Sequence, residues 1–248
     1  MSKLEAFEQA QVGIRKLDFQ NHTIDSPEMY RQYQKRNCFG LDREHQIHRI
    51  FQRKYLEDDI ANGRLTLPRA DANVWNDPLE NPLADVQEID VVTGRPISLG
   101  SLVRDFFALC WTERKSIKPE DWASFSHGDE AIRISTTIGK LMDRVMSIND
   151  PEYMFRSWVI GVEYKEPHLI KAMQTPSEAY ARMDSQGALL AMAAATVRTQ
   201  FSGEDEVRLL YDASFNMAPL GSRIIDNGKL LQIPFEWSDF IDEEVCGP

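Results

Sequence analysis

The sequence predicts a mainly α-helical fold: a compact helical domain with one or two small β-hairpins and a long proline-containing loop. The chain has 248 residues, 42% of them hydrophobic and 27% charged, which is an ordinary balance for a globular protein. Proline follows a polar or capping residue at several sites, with acid near most of them, which is typical of helix starts. These sites are Pro27, Pro119, Pro151, Pro167 and Pro176.

Apolar side chains also recur at helical spacing. One stripe runs from Leu99 to Cys110 and a second from Ala131 to Ile148, and a third apolar group follows Pro151. The segment 176–200 is apolar around much of a helix circumference, which predicts a central helix. We expect the core to join Ile138, Leu141, Met142 and Val145 with Leu189, Leu190 and Met192.

Two stretches depart from the helical pattern. Asp226-Asn227-Gly228 stands between two apolar runs, which predicts a β-hairpin, and residues 86–99 alternate loosely around Thr93-Gly94-Arg95-Pro96 as a second short strand pair would. Residues 65–85 contain three prolines and few apolar anchors, so a long loop is expected there. The predicted organisation is an N-terminal helical region with a basic segment (1–64), an extended proline-containing connection (65–98), and a main helical core with a C-terminal hairpin and acidic tail (99–248).

The charge balance argues against general nucleic-acid binding. The net charge is −11, with 12 basic and 10 acidic residues in 1–70 but 16 basic and 29 acidic residues in 71–248. Three widely spaced cysteines form no CxxC pair, and neither a signal peptide nor a membrane-spanning run is expected, so the prediction is a cytoplasmic protein. The common nucleotide-binding, zincin and hydrolase motifs are missing, and no cofactor is predicted.

Glu44, His45 and His48 form the densest cluster of potential metal ligands. On a helix running from about Asp42 to Ala61, His45 and His48 would share a face, and Glu44 would stand four residues before His48. A complete site would need ligands from elsewhere, so a solvated polar face is the alternative interpretation.

Arg43 and His48 are separated by four residues. This Arg-x4-His spacing resembles the signature of HEPN-type ribonucleases, although the family often has Asn, Asp or His where this chain has Glu44. The resemblance implies a helical, dimeric, metal-independent ribonuclease of toxin or defence type in which Arg43 and His48 act on the scissile phosphate. On one helix, however, residues five apart stand about 140° from each other, so the pair would need the helix entrance or a second protomer.

Residues 31–54 are basic and interleaved with aromatic residues. This composition binds acidic protein surfaces, or nucleic acid in some proteins. The leading prediction is therefore a non-enzymatic interaction or assembly subunit of a larger intracellular complex, binding itself or another protein. The predicted partner-binding residues are Arg31, Lys35, Arg36, Arg49, Arg53, Lys54 and Trp75.

Overall fold

The computed structural model, which describes residues 1–126, 128–150, 152–214 and 222–247, has a mixed α/β fold around an antiparallel sheet. The prediction of a mainly helical, all-α fold is therefore wrong. Six strands form the main sheet in the order β13-β6-β1-β5-β10-β7, and all neighbours run antiparallel. Their bounds are β1 (Gln46–Gln52), β5 (Phe106–Thr112), β6 (Ala131–Thr137), β7 (Ser157–Gly161), β10 (Glu206–Asp212) and β13 (Glu243–Cys246).

Three smaller sheets complete the strand content of the described residues. A three-stranded sheet has the order β11-β12-β2, β3 pairs with β4, and β8 pairs in parallel with β9. Their bounds are β2 (Arg64–Pro68), β3 (Gln87–Ile89), β4 (Pro96–Ser98), β8 (Glu163–Lys165), β9 (Thr196–Arg198), β11 (Arg223–Ile225) and β12 (Leu230–Pro234).

The helices are mostly short and connect or cover the sheets. Only α1 and α2 exceed ten residues among the described helices. Their bounds are α1 (Lys3–Phe19), α2 (Pro27–Asn37), α3 (Arg53–Ala61), α4 (Ala72–Trp75), α5 (Pro119–Ser126), α6 (Ile138–Val145), α7 (Tyr153–Arg156), α8 (Pro167–Ala172), α9 (Pro176–Tyr180) and α10 (Ala188–Ala194), with 3-10 turns at Leu99–Leu102, Thr199–Glu204 and Asp226–Gly228.

The central strands are buried on both faces, which explains why the sequence pattern predicts the wrong fold class. In β5, Phe107, Leu109 and Trp111 enter one core cluster, whereas Phe106 and Ala108 enter a second cluster. A strand covered on both sides reads as a continuous apolar run rather than as polar and apolar residues in alternation. Such a run also fits the apolar stripe of a helix, so the sequence pattern alone does not distinguish a buried strand from a helix.

The predicted helix over residues 131–148 is a strand followed by a helix. β6 ends at Thr137, whose hydroxyl caps α6 by accepting a hydrogen bond from the Lys140 amide at 3.2 Å. The stripe of Ile138, Leu141 and their neighbours is buried on α6 as expected. Leu190 and Met192 of α10 instead pack against the second cluster, so the predicted single core is wrong.

Local turn and capping signals predict the structure more accurately than the long apolar patterns do. Helices begin at Pro27, Pro119, Pro167 and Pro176 as predicted, while Pro151 lies outside the described residues. Both hairpins are present, as β3–β4 and β11–β12. The segment 65–85 is not a structureless loop, since it contains most of β2 and all of α4.

Candidate functional site

A small cavity lies between α5 and strands β1 and β5 of the main sheet, and we name it the His48 cavity. Its volume is about 60 Å³. It lies where β1 and β5 separate after a single paired position, His48 with Thr112. Its lining is His48, Arg49, Ile50, Cys110, Trp111, Thr112, Arg114, Ser116, Ile117, Asp121, Phe125, Arg133, Glu204 and Glu206.

His48 is buried, with 2% of its surface exposed. Its Nδ1 lies 2.7 Å from the Ser135 hydroxyl on the neighbouring strand, and its Nε2 has no partner among the described residues. The pKa of His48 is lowered to about 4, chiefly by burial and also by the nearby positive charges of Arg133, Lys115 and His45. The imidazole is therefore neutral near pH 7, and one of its nitrogens is left without a hydrogen bond.

Three arginines also line the His48 cavity. Arg114 forms an ion pair with Asp121 of α5 at 2.6 Å, and Arg133 donates to the Arg114 carbonyl at 2.9 Å. Arg49 donates to the Cys110 carbonyl, which the separation of β1 from β5 leaves free of the strand ladder. The Nε atoms of Arg49 and Arg114 are buried and have no partner among the described residues, so unused donors from different elements line one cavity.

A buried ion network adjoins the cavity on β10. Arg208 donates to Glu206 at 2.8 Å and to Glu80 at 2.6 Å, and all three residues are buried. Desolvation alone lowers the pKa of Arg208, but the carboxylates of Glu206 and Glu80 raise it more, so this guanidinium remains charged. Removing one member would leave the others buried and uncompensated, so we regard this network as a fixed wall of the site.

Glu204 is an acidic residue of the cavity whose pKa is raised toward neutrality. Its pKa is raised to about 7, chiefly by burial and next by the negative charge of the adjacent Glu206. Cys110, by contrast, is not a nucleophile in this environment, because burial raises the pKa of its thiol well above the ordinary value. Acid–base exchange at Glu204 is thus available near neutral pH, whereas thiolate chemistry is not.

A second, larger cavity of about 370 Å³ adjoins the first, and we name it the Trp75 cavity. The two share Arg49, Cys110, Phe125, Glu204 and Glu206 as lining residues. Trp75 donates through its indole nitrogen to the Arg69 carbonyl at 2.6 Å, and its ring lies 5.2 Å from the Arg208 guanidinium carbon. Trp75, predicted to bind a partner, therefore contacts the buried ion network.

The helix assumed for the metal interpretation is not formed around Glu44, His45 and His48. Glu44 lies in an exposed turn, and His45 precedes β1 and faces Glu113 at 3.4 Å. His48 is inside β1, so the helical spacing that would join these side chains does not apply. In the described parts of the chain, no group of three or more His, Cys, Asp or Glu side chains is arranged to hold a metal ion.

Arg43 and His48 line different cavities. Arg43 lies in a turn, and its Nη2 donates to both carboxylate oxygens of Asp143 on α6, at 2.8 and 2.9 Å. It borders an open groove of about 1100 Å³ between α2 and α6, whereas His48 faces Ser135 inside the sheet. The helical setting that the HEPN resemblance implies is absent from this part of the chain.

The predicted basic surface is divided between the interior and the exterior. Arg36 is fully buried and donates to the Met154 carbonyl, and Arg49 belongs to the His48 cavity. Arg53 and Lys54 on α3 face acidic neighbours, with Lys54 2.7 Å from Asp129. Arg31 and Lys35 are exposed on the α2–α6 groove.

The sequence patterns above do not single out Glu204, Glu206, Arg208, Arg114 or Arg133. The usable signal is the alternation of charge with apolar residues in Glu206-Val207-Arg208-Leu209, which is typical of a strand with one polar face. The remaining members come from a 3-10 turn (Glu204), a loop (Arg114) and another strand (Arg133), and no local pattern joins them.

The antiparallel sheet and its two polar cavities define a mixed α/β protein with a candidate ligand site. Comparison of the chain with family models, with curated proteins and with solved structures finds no match. No helix in the described residues combines the length and apolar character needed to cross a bilayer.

Proposed function

We propose that this protein is a non-enzymatic, intracellular interaction or assembly subunit that binds another protein chain, a second copy or a different one, through the β3–β4 hairpin. The observation that carries the proposal is the exposure of apolar side chains at the hairpin tip. Val91 and Val92 are 95% and 88% exposed, and Ile89 and Ile97 beside them are also exposed. Exposed apolar side chains that cluster in this way are typical of a binding surface.

The tip has a defined conformation. The Asp90 carboxylate accepts hydrogen bonds from the Val92 amide at 2.9 Å and from the Thr93 hydroxyl at 2.5 Å, and these bonds lower the pKa of Asp90. Gly94 adopts a φ of +66°, which closes the turn without strain. A turn fixed in this way presents the two valines with little conformational entropy left to lose on binding.

The hairpin is also short. β3 and β4 form a two-stranded sheet of three residues each, and such a hairpin alone is marginally stable in water. A partner surface that covers the exposed apolar side chains of its tip would supply further packing. Arg31 and Lys35, exposed on the α2–α6 groove, are proposed as a secondary contact for an acidic partner surface.

Site-specific photocrosslinking tests the proposal. A photoreactive phenylalanine analogue replaces Val91 in the full chain, expressed in the cells that make the protein, and a matched chain carries it at Val12, which is 49% exposed on α1. We expect an adduct of defined mass from position 91 and none from position 12. Sedimentation of the purified protein then separates a second copy from a different partner, and equal or absent crosslinking at the two positions would contradict the proposal.

A further inference from the structure

We propose that the His48 cavity binds a small carboxylate ligand whose oxygens accept hydrogen bonds from His48 and Arg114. The inference is independent of the hairpin, which belongs to a different part of the fold. It rests on polar side chains that have no partner in the described parts of the chain, and on the size and lining of the cavity that they border.

The cavity concentrates unsatisfied polar atoms. Of the seven buried side-chain polar atoms without a partner in the described residues, four belong to residues that line it. Buried donors without acceptors each cost about 1–3 kcal/mol, so their presence in one place calls for an acceptor. When the Ser135 hydroxyl donates to Nδ1 of His48, the ring proton resides on Nε2, which then also donates toward the cavity.

The size of the cavity limits the ligand. Since a water molecule needs roughly 10–15 Å³ of such volume, about 60 Å³ holds roughly four non-hydrogen atoms, the number in acetate. Arg114 and Arg133 supply positive charge, while Ile50, Ile117 and Phe125 supply an apolar wall against which a methyl group packs. Carboxylate oxygens and a short alkyl group match both kinds of lining, whereas an inorganic oxyanion has no apolar part.

The acidic residues between the two cavities also limit the number of carboxylates on the ligand. Glu204 and Glu206 line both the His48 cavity and the neighbouring Trp75 cavity, and Glu206 is already held by Arg208. A second carboxylate on the ligand would meet these acids at the junction. The preferred ligand is therefore a monocarboxylate.

Nuclear magnetic resonance of the full-length protein provides the test, with acetate as the probe. Sodium acetate is titrated at constant ionic strength against sodium chloride, and the imidazole ¹⁵N signals are followed, with His48 assigned from its disappearance in His48→Gln. We expect a saturable shift at His48 and the spectrum of an Nε2-protonated neutral ring. The Arg114→Lys variant keeps the charge but loses Nε–H, so acetate binding should weaken about 10-fold, the loss of one charged hydrogen bond.

Arg64→Lys is the matched control. Arg64 is paired with aspartate and is 17% exposed in its side chain, compared with 20% for Arg114, but it lies outside the cavity. Its acetate affinity should equal that of the wild type. A linear shift, an identical response to chloride, equal binding of nitrate, or an unchanged affinity in Arg114→Lys would overturn the proposal; if Arg114→Lys does not fold, the wild-type titration alone decides.

Discussion

The pKa values of Glu204 and His48 are shifted in opposite directions from their ordinary values, although both residues line the same cavity. The pKa of Glu204 is raised from 4.5 to about 7, and that of His48 is lowered from 6.5 to about 4, with burial the leading cause in both. Between about pH 4.5 and 7 the folded chain binds more protons at Glu204 than the unfolded chain does. Stability from this residue is consequently present at low pH and lost as pH rises through 7.

The Glu204→Gln variant should therefore become more stable than the wild type as the pH rises. We expect a small difference in Tm at pH 4.5 and an increase in Tm at pH 8, because the amide removes a half-buried negative charge beside Glu206. Thermal unfolding followed by circular dichroism at both pH values measures the effect, with Glu244→Gln on the exposed strand β13 as the control. An equal Tm change at the two pH values would contradict the assigned pKa.

Individual residues in the candidate site were only partly accessible to sequence reasoning. The sequence predicts His48 and Arg49 as candidate site residues, but it places them on a helix, whereas both lie on β1 and His48 faces Ser135. Arg114, Arg133 and Glu204 join them only through tertiary folding. Pairings of that kind depend on strand register, which a single sequence without hairpin connections does not specify.

At the scale of the elements, α6 carries an apolar stripe at helical spacing, and the fold buries that stripe. Leu141 is fully buried in the first core cluster, beside Ile138 and Met142. Leu141→Ala should lower the free energy of unfolding by about 2–5 kcal/mol, because it removes packed methyl groups and leaves a cavity. Urea denaturation measures the change.

Leu169→Ala provides the control for that measurement. Leu169 lies on α8 with 48% of its surface exposed, so its truncation should cost well under the value for Leu141. Equal losses for the two leucines would show that α6 does not pack in the core as described.

Helix starts were predictable because capping is local chemistry. Ser26 accepts a hydrogen bond from the Met29 amide ahead of α2, with Pro27 in the first position, and these residues are adjacent in sequence. Helix lengths and strands were not predictable from the same signals. Residues 157–161 and 206–212 become strands because they pair with each other within the sheet, and propensity alone does not encode such pairing.

At the scale of the whole molecule, the main sheet joins distant parts of the chain. β1 from the first 64 residues lies between β5 and β6, and β2 pairs with β12 near the C-terminus. A fragment of residues 99–248 would lack β1 and leave β5 and β6 without their shared neighbour. We expect this fragment to be unfolded, with little amide dispersion in its nuclear magnetic resonance spectrum.

The full-length chain under the same conditions is the reference for the fragment. Adding a separate 1–98 fragment should restore dispersion if the two pieces complete the sheet together. A fragment 99–248 that unfolds cooperatively by itself would instead support an independent C-terminal domain.

The central place of β1 has a consequence for how the protein is made. β1 leaves the ribosome long before β6, its main partner, and before β5, so its edges are unpaired during much of translation. Unpaired strand edges on a nascent chain are prone to aggregation, and pairings between distant residues form slowly. Expression at a reduced temperature, or with a chaperone that holds unfolded chains, is therefore expected to increase the soluble yield of this protein.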